Sequence, residues 1–295
     1  MHKPAQRRGG SLGLRIASLP RTSRILAVVV VIVAVASFAL AVGSRPSKPS
    51  RTHALADPTR NAAGASRAGR ADRVTPAQNR PGPVLLVPGY GGESGSLDAL
   101  ASRIRADGRT AIVLQLPGSG TGSLLTDAAV LNAAVVRAVH GGAPSVDVIG
   151  YSAGGVVALA WARHDGDASR ARRIVTLGAP FHGTELAAAA QALVPGACPT
   201  ACRQLVPGSS LLASLDVAAG TGLPPWLSLW TRGDQVVTPP DSARLAGAID
   251  VPVQTVCPAL AVSHTELPSN PAVINMVLAA VGRAPLARPT VAVCG

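Results

Sequence analysis

The stretch Val146-Asp-Val-Ile-Gly-Tyr-Ser-Ala-Gly-Gly155 decides how this chain is read. Val146, Val148 and Ile149 form a β-branched apolar run of strand character, and Val156-Val-Ala-Leu-Ala-Trp-Ala162 after it is a helical apolar run. Between them Gly150-Tyr-Ser-Ala-Gly154 fits G-x-S-x-G, a pattern that sets a serine at the tip of a sharp strand-to-helix turn. Glycines two positions on either side let the crowded backbone close. Ser152 Oγ then stands clear of a sheet, and Ala153 N–H points into the same space as an oxyanion donor. In a chain with 31 glycines the bare pattern also fits a Gly-rich turn with a serine N-cap. The strand before it and the helix after it favour a nucleophile.

A serine nucleophile needs a histidine base, and the histidine needs a carboxylate to fix its tautomer. Three histidines follow Ser152. His164 ends the elbow helix, roughly 18 Å of helix rise from the serine, and is expected at the surface. His182 closely follows the strand Ile174-Val-Thr-Leu177 and precedes any good acid. His264 lies in a loop ahead of the last helix and is expected to be the base. The acid comes from Leu227-Ser-Leu-Trp-Thr-Arg-Gly-Asp234, where an alternating strand ends and Asp234 opens the next loop. Asp216 lacks a preceding strand, and Asp241 sits where it caps a helix starting near Ser242. A turn aspartate is the plain alternative for Asp234. Strand end and chain order (serine, acid, histidine) select Ser152, Asp234 and His264.

Upstream, Val84-Leu-Leu-Val87 is a wholly apolar strand followed by Pro88-Gly-Tyr-Gly-Gly92, a second loop whose backbone N–H groups suit an oxyanion. A dinucleotide fingerprint is a poor alternative. Gly89, Gly91 and Gly95 do not give G-x-G-x-x-G, and the next strand, Ala111-Ile-Val-Leu-Gln115, ends without the acid that would hold a ribose.

Taken together, Val87-Pro-Gly-Tyr-Gly-Gly92, Gly150-Tyr-Ser-Ala-Gly-Gly155, Leu177-Gly-Ala-Pro-Phe-His-Gly-Thr184 and Asp234-Gln-Val-Val-Thr-Pro239 resemble the bacterial lipases and esterases of the α/β-hydrolase superfamily. The nearest resemblance is to the class 2 lipases of actinobacteria, over roughly residues 82 to 285. Their first loop usually reads His-Gly, whereas this chain has Pro88. The donor one residue beyond the glycine is unaffected, so the resemblance gives the oxyanion role to the N–H groups of Tyr90 and Ala153. It makes Gly150, Gly154 and His182 structural neighbours of the site, with His182 helping to floor the cleft. It also implies hydrolysis of carboxylic esters with no cofactor and no metal.

The expected fold class is α/β, an α/β-hydrolase fold whose mostly parallel central sheet has helices on both faces. Strands are expected at Val84–Val87, Ala111–Gln115, Val146–Ile149, Ile174–Leu177, Trp226–Trp230 and Gln254–Val256, separated by helical stretches. Residues 81–295 are enough for one such domain. Glu185 to Leu223 is the main insertion, helical over Leu186–Leu193 and then broken by Pro195, Pro199 and Pro207. It is either a small lid or acyl-chain wall, or a plain connecting loop.

Charge divides the chain. Of 27 basic side chains 14 precede Pro81, against only Asp57 and Asp72, so the catalytic part holds 13 of each sign and is neutral. With few aromatics it carries no nucleic-acid footprint. Residues 1–24 are a basic N-terminus expected in the cytoplasm. The uncharged run 25–44 has the length of a membrane span, about 20 residues. An uncleaved anchor is preferred over a signal peptide cleaved near Ala41, because a signal's apolar region runs only about 7–15 residues. Residues 45–80, rich in Arg, Ala, Pro and Ser, are expected to be a disordered basic linker. The expected localisation is therefore the cell membrane, single-pass with the catalytic domain outside, or secretion after cleavage.

Cys198, Cys202, Cys257 and Cys294 are an even number in an exported domain. Of three possible connectivities, Cys198–Cys202 and Cys257–Cys294 are expected, and the spacing does not suit zinc. The expected protein is a monomeric serine esterase or lipase acting on a neutral lipid or small ester. Acyl transfer or thioester cleavage uses the same residues, and an inactive hydrolase-fold binding module is the alternative from another class.

Overall fold

A computed structural model describes residues 80–92, 94–164, 168–216 and 223–295. The expected basic N-terminus, the apolar run 25–44 and all but the last residue of the linker lie outside these residues. Among the described residues six strands form one sheet: β1 (Val84–Val87), β2 (Ala111–Val113), β3 (Val146–Tyr151), β4 (Ala171–Leu177), β5 (Trp226–Trp230) and β6 (Ile249–Pro252). Their order is β2-β1-β3-β4-β5-β6, and every neighbouring pair is parallel. The helices are α1 (Asp98–Ala106), α2 (Leu124–His140), α3 (Ala153–His164), α4 (Glu185–Leu193), α5 (Thr200–Gln204), α6 (Ser210–Asp216) and α7 (Pro271–Val281).

Parallel strands are linked by crossovers that cover both faces of the sheet, so their sequences must be apolar on both sides. β1 shows the consequence: Leu85 and Val87 enter one core with α2 and α3, and Val84 and Leu86 enter the other with α1 and α7. β3 divides in the same way, with Val146 and Val148 on the α2/α3 face and Ile149 and Tyr151 on the α1/α7 face. The fold class expected from the motifs is the one observed, and the sheet is all-parallel.

Four strands differ from expectation: β2 stops at Val113, two residues short of Gln115, β3 runs on past Ile149 to Tyr151, and β4 and the last strand differ more. The last strand is Ile249–Pro252, and the expected Gln254–Val256 lies beyond it, where Val253–Thr255 is a 3₁₀ turn. Pro252 cannot donate to a ladder, so the strand stops there. β4 begins three residues earlier than expected, at Ala171, because Arg172 and Arg173 find non-local partners. A bulge pairs Val146 with Ala171 and Asp147 with Arg173, leaving Arg172 the extra residue. Arg172 donates to buried Asp147 Oδ1 at 3.0 Å and to the carbonyls of Val281 and Gly282 at 2.5 and 2.8 Å. Arg109 joins Asp147 Oδ2 at 2.8 Å and Val281 O at 2.6 Å, and Arg173 donates to Ala280, Gly282 and Ala284 carbonyls. Three guanidiniums thus meet the C-terminal carbonyls of α7, the end of a helix that favours cations.

The localisation expected from residues 25–44 is corrected. Among the described residues no helix is long and apolar enough to cross a membrane. The apolar helices α3 and α7 have 12 and 11 residues, short of the roughly 20 that a bilayer requires, and their apolar faces are spent on the two cores. No anchor is assigned.

Candidate active site

Ser152 stands where β3 turns into α3, with φ at +53° in the left-handed region that L side chains seldom occupy. The turn closes because glycines flank it. A Cβ on Gly150 would stand 2.6 Å from Gly155 Cα, and one on Gly154 would stand 2.2 Å from Val87 O. Real Cβ atoms do not come that close, so both positions require glycine. Ser152 N–H donates to Leu177 O at 2.8 Å, which ties the elbow to the end of β4. Gly89, in the loop after β1, also needs its missing side chain: a Cβ there would lie 2.9 Å from Ser152 Cβ.

His264 and Asp234 are each about 5% exposed or less, and Nδ1 of the histidine lies 2.7 Å from Asp234 Oδ2. The other carboxylate oxygen, Oδ1, accepts the backbone N–H groups of Val236 and Val237 at 2.9 and 2.8 Å. These bonds fix the carboxylate plane, and with it the histidine tautomer that carries its proton on Nδ1. The His264 loop is held from several sides. Thr231 Oγ1 donates to Val262 O at 2.7 Å, and Gln254 Nε2 donates to Thr231 Oγ1 at 2.8 Å. Tyr151, beside the nucleophile in sequence, donates its hydroxyl to His264 O at 3.3 Å, with ring centroids 5.3 Å apart. Burial first, and then the Asp234 charge, raise the Tyr151 hydroxyl above the ordinary tyrosine range, so it stays a neutral donor.

Of the three residues chosen from the sequence, Asp234 and His264 are in contact beyond the end of β5, and Ser152 stands at the end of β3 with its amide tied to the end of β4. Ser152 Oγ makes no hydrogen bond with His264 among the described residues, a looseness common before substrate binds. Ala153 opens α3, so its N–H has no intrahelical partner, and Tyr90 N–H is also unpartnered among the described residues. Ala153 follows Ser152 directly, and Tyr90 follows Gly89, whose open face lies against Ser152. The exposed side chain of His182 borders a cavity of about 290 Å³ with Leu159, Phe181, Leu215 and Asp250. Its backbone is held by Ser242 O at 3.3 Å.

Two contributors were missed in the sequence. Gly178, at φ +56°, presses its open face on His264, and Tyr151 holds the histidine carbonyl. The signal for Gly178 was present in Leu177-Gly-Ala-Pro, which follows a strand immediately. Nothing local marks Tyr151. Both expected disulfides are present, Cys198–Cys202 and Cys257–Cys294, and no described cysteine is free. Among the described residues no group of His, Cys, Asp and Glu is arranged to hold a metal.

Fold and site together define an α/β-hydrolase fold, and residues 82–197 match the family model described by that name. Among solved structures, lipase B of Aspergillus fumigatus superposes with a TM-score of 0.58 at 20% identity, over 68% of this chain and 52% of that one. The Bacillus licheniformis lipase BlEst2 in its mature form gives 0.51 at 18% identity, over 63% of this chain and 86% of that one. Its propeptide form gives 0.56 at 18%, over 73% and 53%. This chain thus spans about half the length of the Aspergillus lipase, and identities this low speak for the fold alone. No curated protein sequence matches the chain.

Proposed function

We propose that residues 81–295 form a serine hydrolase of carboxylic esters, of the lipase or esterase kind, with Ser152 as nucleophile, His264 as base and Asp234 as its orienting acid. The observation that carries this is the buried 2.7 Å His264–Asp234 contact beside a glycine-walled elbow. His264 Nε2 takes the Ser152 proton as Oγ bonds to the ester carbonyl carbon. The oxygen that gains the negative charge faces Tyr90 and Ala153 N–H. His264 then gives its proton to the leaving alcohol as the C–O bond breaks, and water repeats the sequence on the acyl-enzyme. The neutral charge of the domain and the exposed Leu193 and Val194 at the end of α4 suit a neutral, apolar ester.

The test is hydrolysis of p-nitrophenyl esters of graded acyl length by the whole chain and by its Ser152→Ala variant. Hydrolysis lost in the variant supports the proposal. Absence of turnover on every ester, or rates untouched by Ser152→Ala, would sink it.

A further inference from the structure

Besides ion-paired Asp147, Asp127 is a buried acid that the proposed chemistry does not use. It lies in the first turn of α2, is 1% exposed, and its Oδ2 has no hydrogen-bond partner. Its position gives this meaning. The α-carbon of Gly120, at φ +69°, is walled by two oxygens: a Cβ there would meet Gly89 O at 3.2 Å and Asp127 Oδ2 at 3.9 Å. The carboxyl and the carbonyl of the peptide whose N–H is the proposed Tyr90 oxyanion donor thus both border the same side of Gly120, with Leu116 Cδ1 beside them at 3.2 Å. The loop that carries Gly120 is strained. Ser119, at φ +57°, is the only non-glycine besides Ser152 with positive φ among the described residues.

Gly89 O accepts Gly92 N–H at 3.1 Å and keeps a second lone pair, which a carboxyl beside it can use only if the carboxyl carries a proton. In a planar trans peptide, C=O and N–H point in opposite directions, so a donor on Gly89 O aims Tyr90 N–H the other way, toward Ser152. Such a bond also polarises the N–H. We propose that Asp127 is a positioning residue for the oxyanion hole, acting in its protonated form by offering its carboxyl proton to Gly89 O beside Gly120. The inference rests on the oxyanion role proposed for Tyr90. Ionisation of Asp127 replaces a donor by a buried negative charge behind the hole, which loosens the loop and opposes the developing oxyanion.

The surroundings favour the neutral acid. Burial alone raises the Asp127 carboxyl, to about 6. On its own helix it stands among apolar Leu124, Ala128 and Leu131, and no charged group answers it from the packed elements. β1 has no titratable side chain. β3 has Asp147 and Tyr151, both on the other face. α3 has Arg163 and His164 only at its far end. On α5, Arg203 is engaged with Cys198 O and Thr200 Oγ1, and Gln204 with Leu124 N–H and Ser123 Oγ. The neighbouring loop supplies Tyr90, whose hydroxyl burial keeps neutral.

The experiment is kcat and KM against pH 5 to 9 for the wild type and Asp127→Asn, on whichever p-nitrophenyl ester is hydrolysed fastest. Asn keeps a donor at every pH, and the ratio of variant to wild type cancels the titration of His264. The expected result is a kcat ratio near one at pH 5 that rises about tenfold by pH 8, with KM little changed, a fraction of what one lost oxyanion donor costs. A ratio independent of pH, or a folded variant slow at every pH, would overturn the inference. If Asp127→Asn does not fold, the wild type decides: a fall in kcat above about pH 6 supports the proposal, and a plateau to pH 8 overturns it. Failure of the serine-hydrolase proposal looks different, because then no Ser152-dependent turnover exists at any pH.

Discussion

Gly178 lies so close to His264 that a Cβ on it would stand 3.0 Å from the ring Nδ1. The end of β4 is thus the back wall for the proposed base, while the preceding carbonyl, of Leu177, holds the Ser152 amide. Gly178→Ala should push the imidazole off Asp234 and strain a backbone at φ +56°. Displacements of about 1 Å cost about 10²-fold in rate. The expected outcome is a kcat loss of that order with KM changed less, and melting lowered by a few degrees, read by steady-state kinetics and circular dichroism.

The histidines separate by environment. His264→Ala and Ser152→Ala should each lower kcat by about 10³-fold or more without unfolding the protein, and Asp234→Asn should act similarly by releasing the wrong tautomer. His182→Ala should keep most of the wild-type rate, since its side chain lies on another cavity. Equal losses for the two histidine variants at unchanged melting temperature would show that the base was misassigned.

The disulfides should differ in weight. Cys257–Cys294 closes a separation of 37 residues and Cys198–Cys202 one of 4. Chain-entropy reasoning then gives about 4 kcal/mol for the long closure and about 2 for the short one. Paired Cys→Ser variants, compared by urea titration, should show the larger loss at Cys257–Cys294. The His264 loop follows Cys257 directly, so activity should become heat-sensitive there first.

Asp127 also makes a stability prediction that is independent of catalysis. Its folded-state acid is raised from 3.8 to about 6. The neutral form is the one that the fold favours, so its contribution is complete below pH 3.8 and is lost as pH rises to about 6. The Tm of the wild type should therefore fall relative to Asp127→Asn between pH 4 and 6 and stay parallel above that. By linkage the change is worth about 3 kcal/mol at most. A Tm difference flat across that interval would place the carboxyl in a wetter setting.

Much of the candidate site could be proposed from the sequence because its parts are short and local. Gly150, Ser152 and Gly154 announce a turn by spacing, and Asp234 and His264 follow strand ends in the order the elbow requires. Several of the misses are non-local. Arg172 and Arg173 fall before the expected strand Ile174–Leu177, and the carbonyls of Ala280 to Ala284 that receive them are more than a hundred residues away. Ile249-Asp-Val-Pro252 has too few apolar residues to stand out, yet Asp250 is absorbed by Leu245 N–H at 3.1 Å. Asp127 passes for an ordinary first-turn acid on a helix, and only the packing of Gly120 against Gly89 gives it a direction.

The arginine cluster at the far end of the sheet has a reach that its location conceals. α7 begins at Pro271, capped by the Asn270 side chain, a few residues after His264, and ends at Val281 under Arg109 and Arg172. Eleven residues make a rod about 16 Å long. A rod pinned at its foot cannot slide, so the height of the His264 loop is indexed from the opposite edge of the molecule. Neutralising Arg172 would leave every group at the site in place chemically and still set the imidazole out of true.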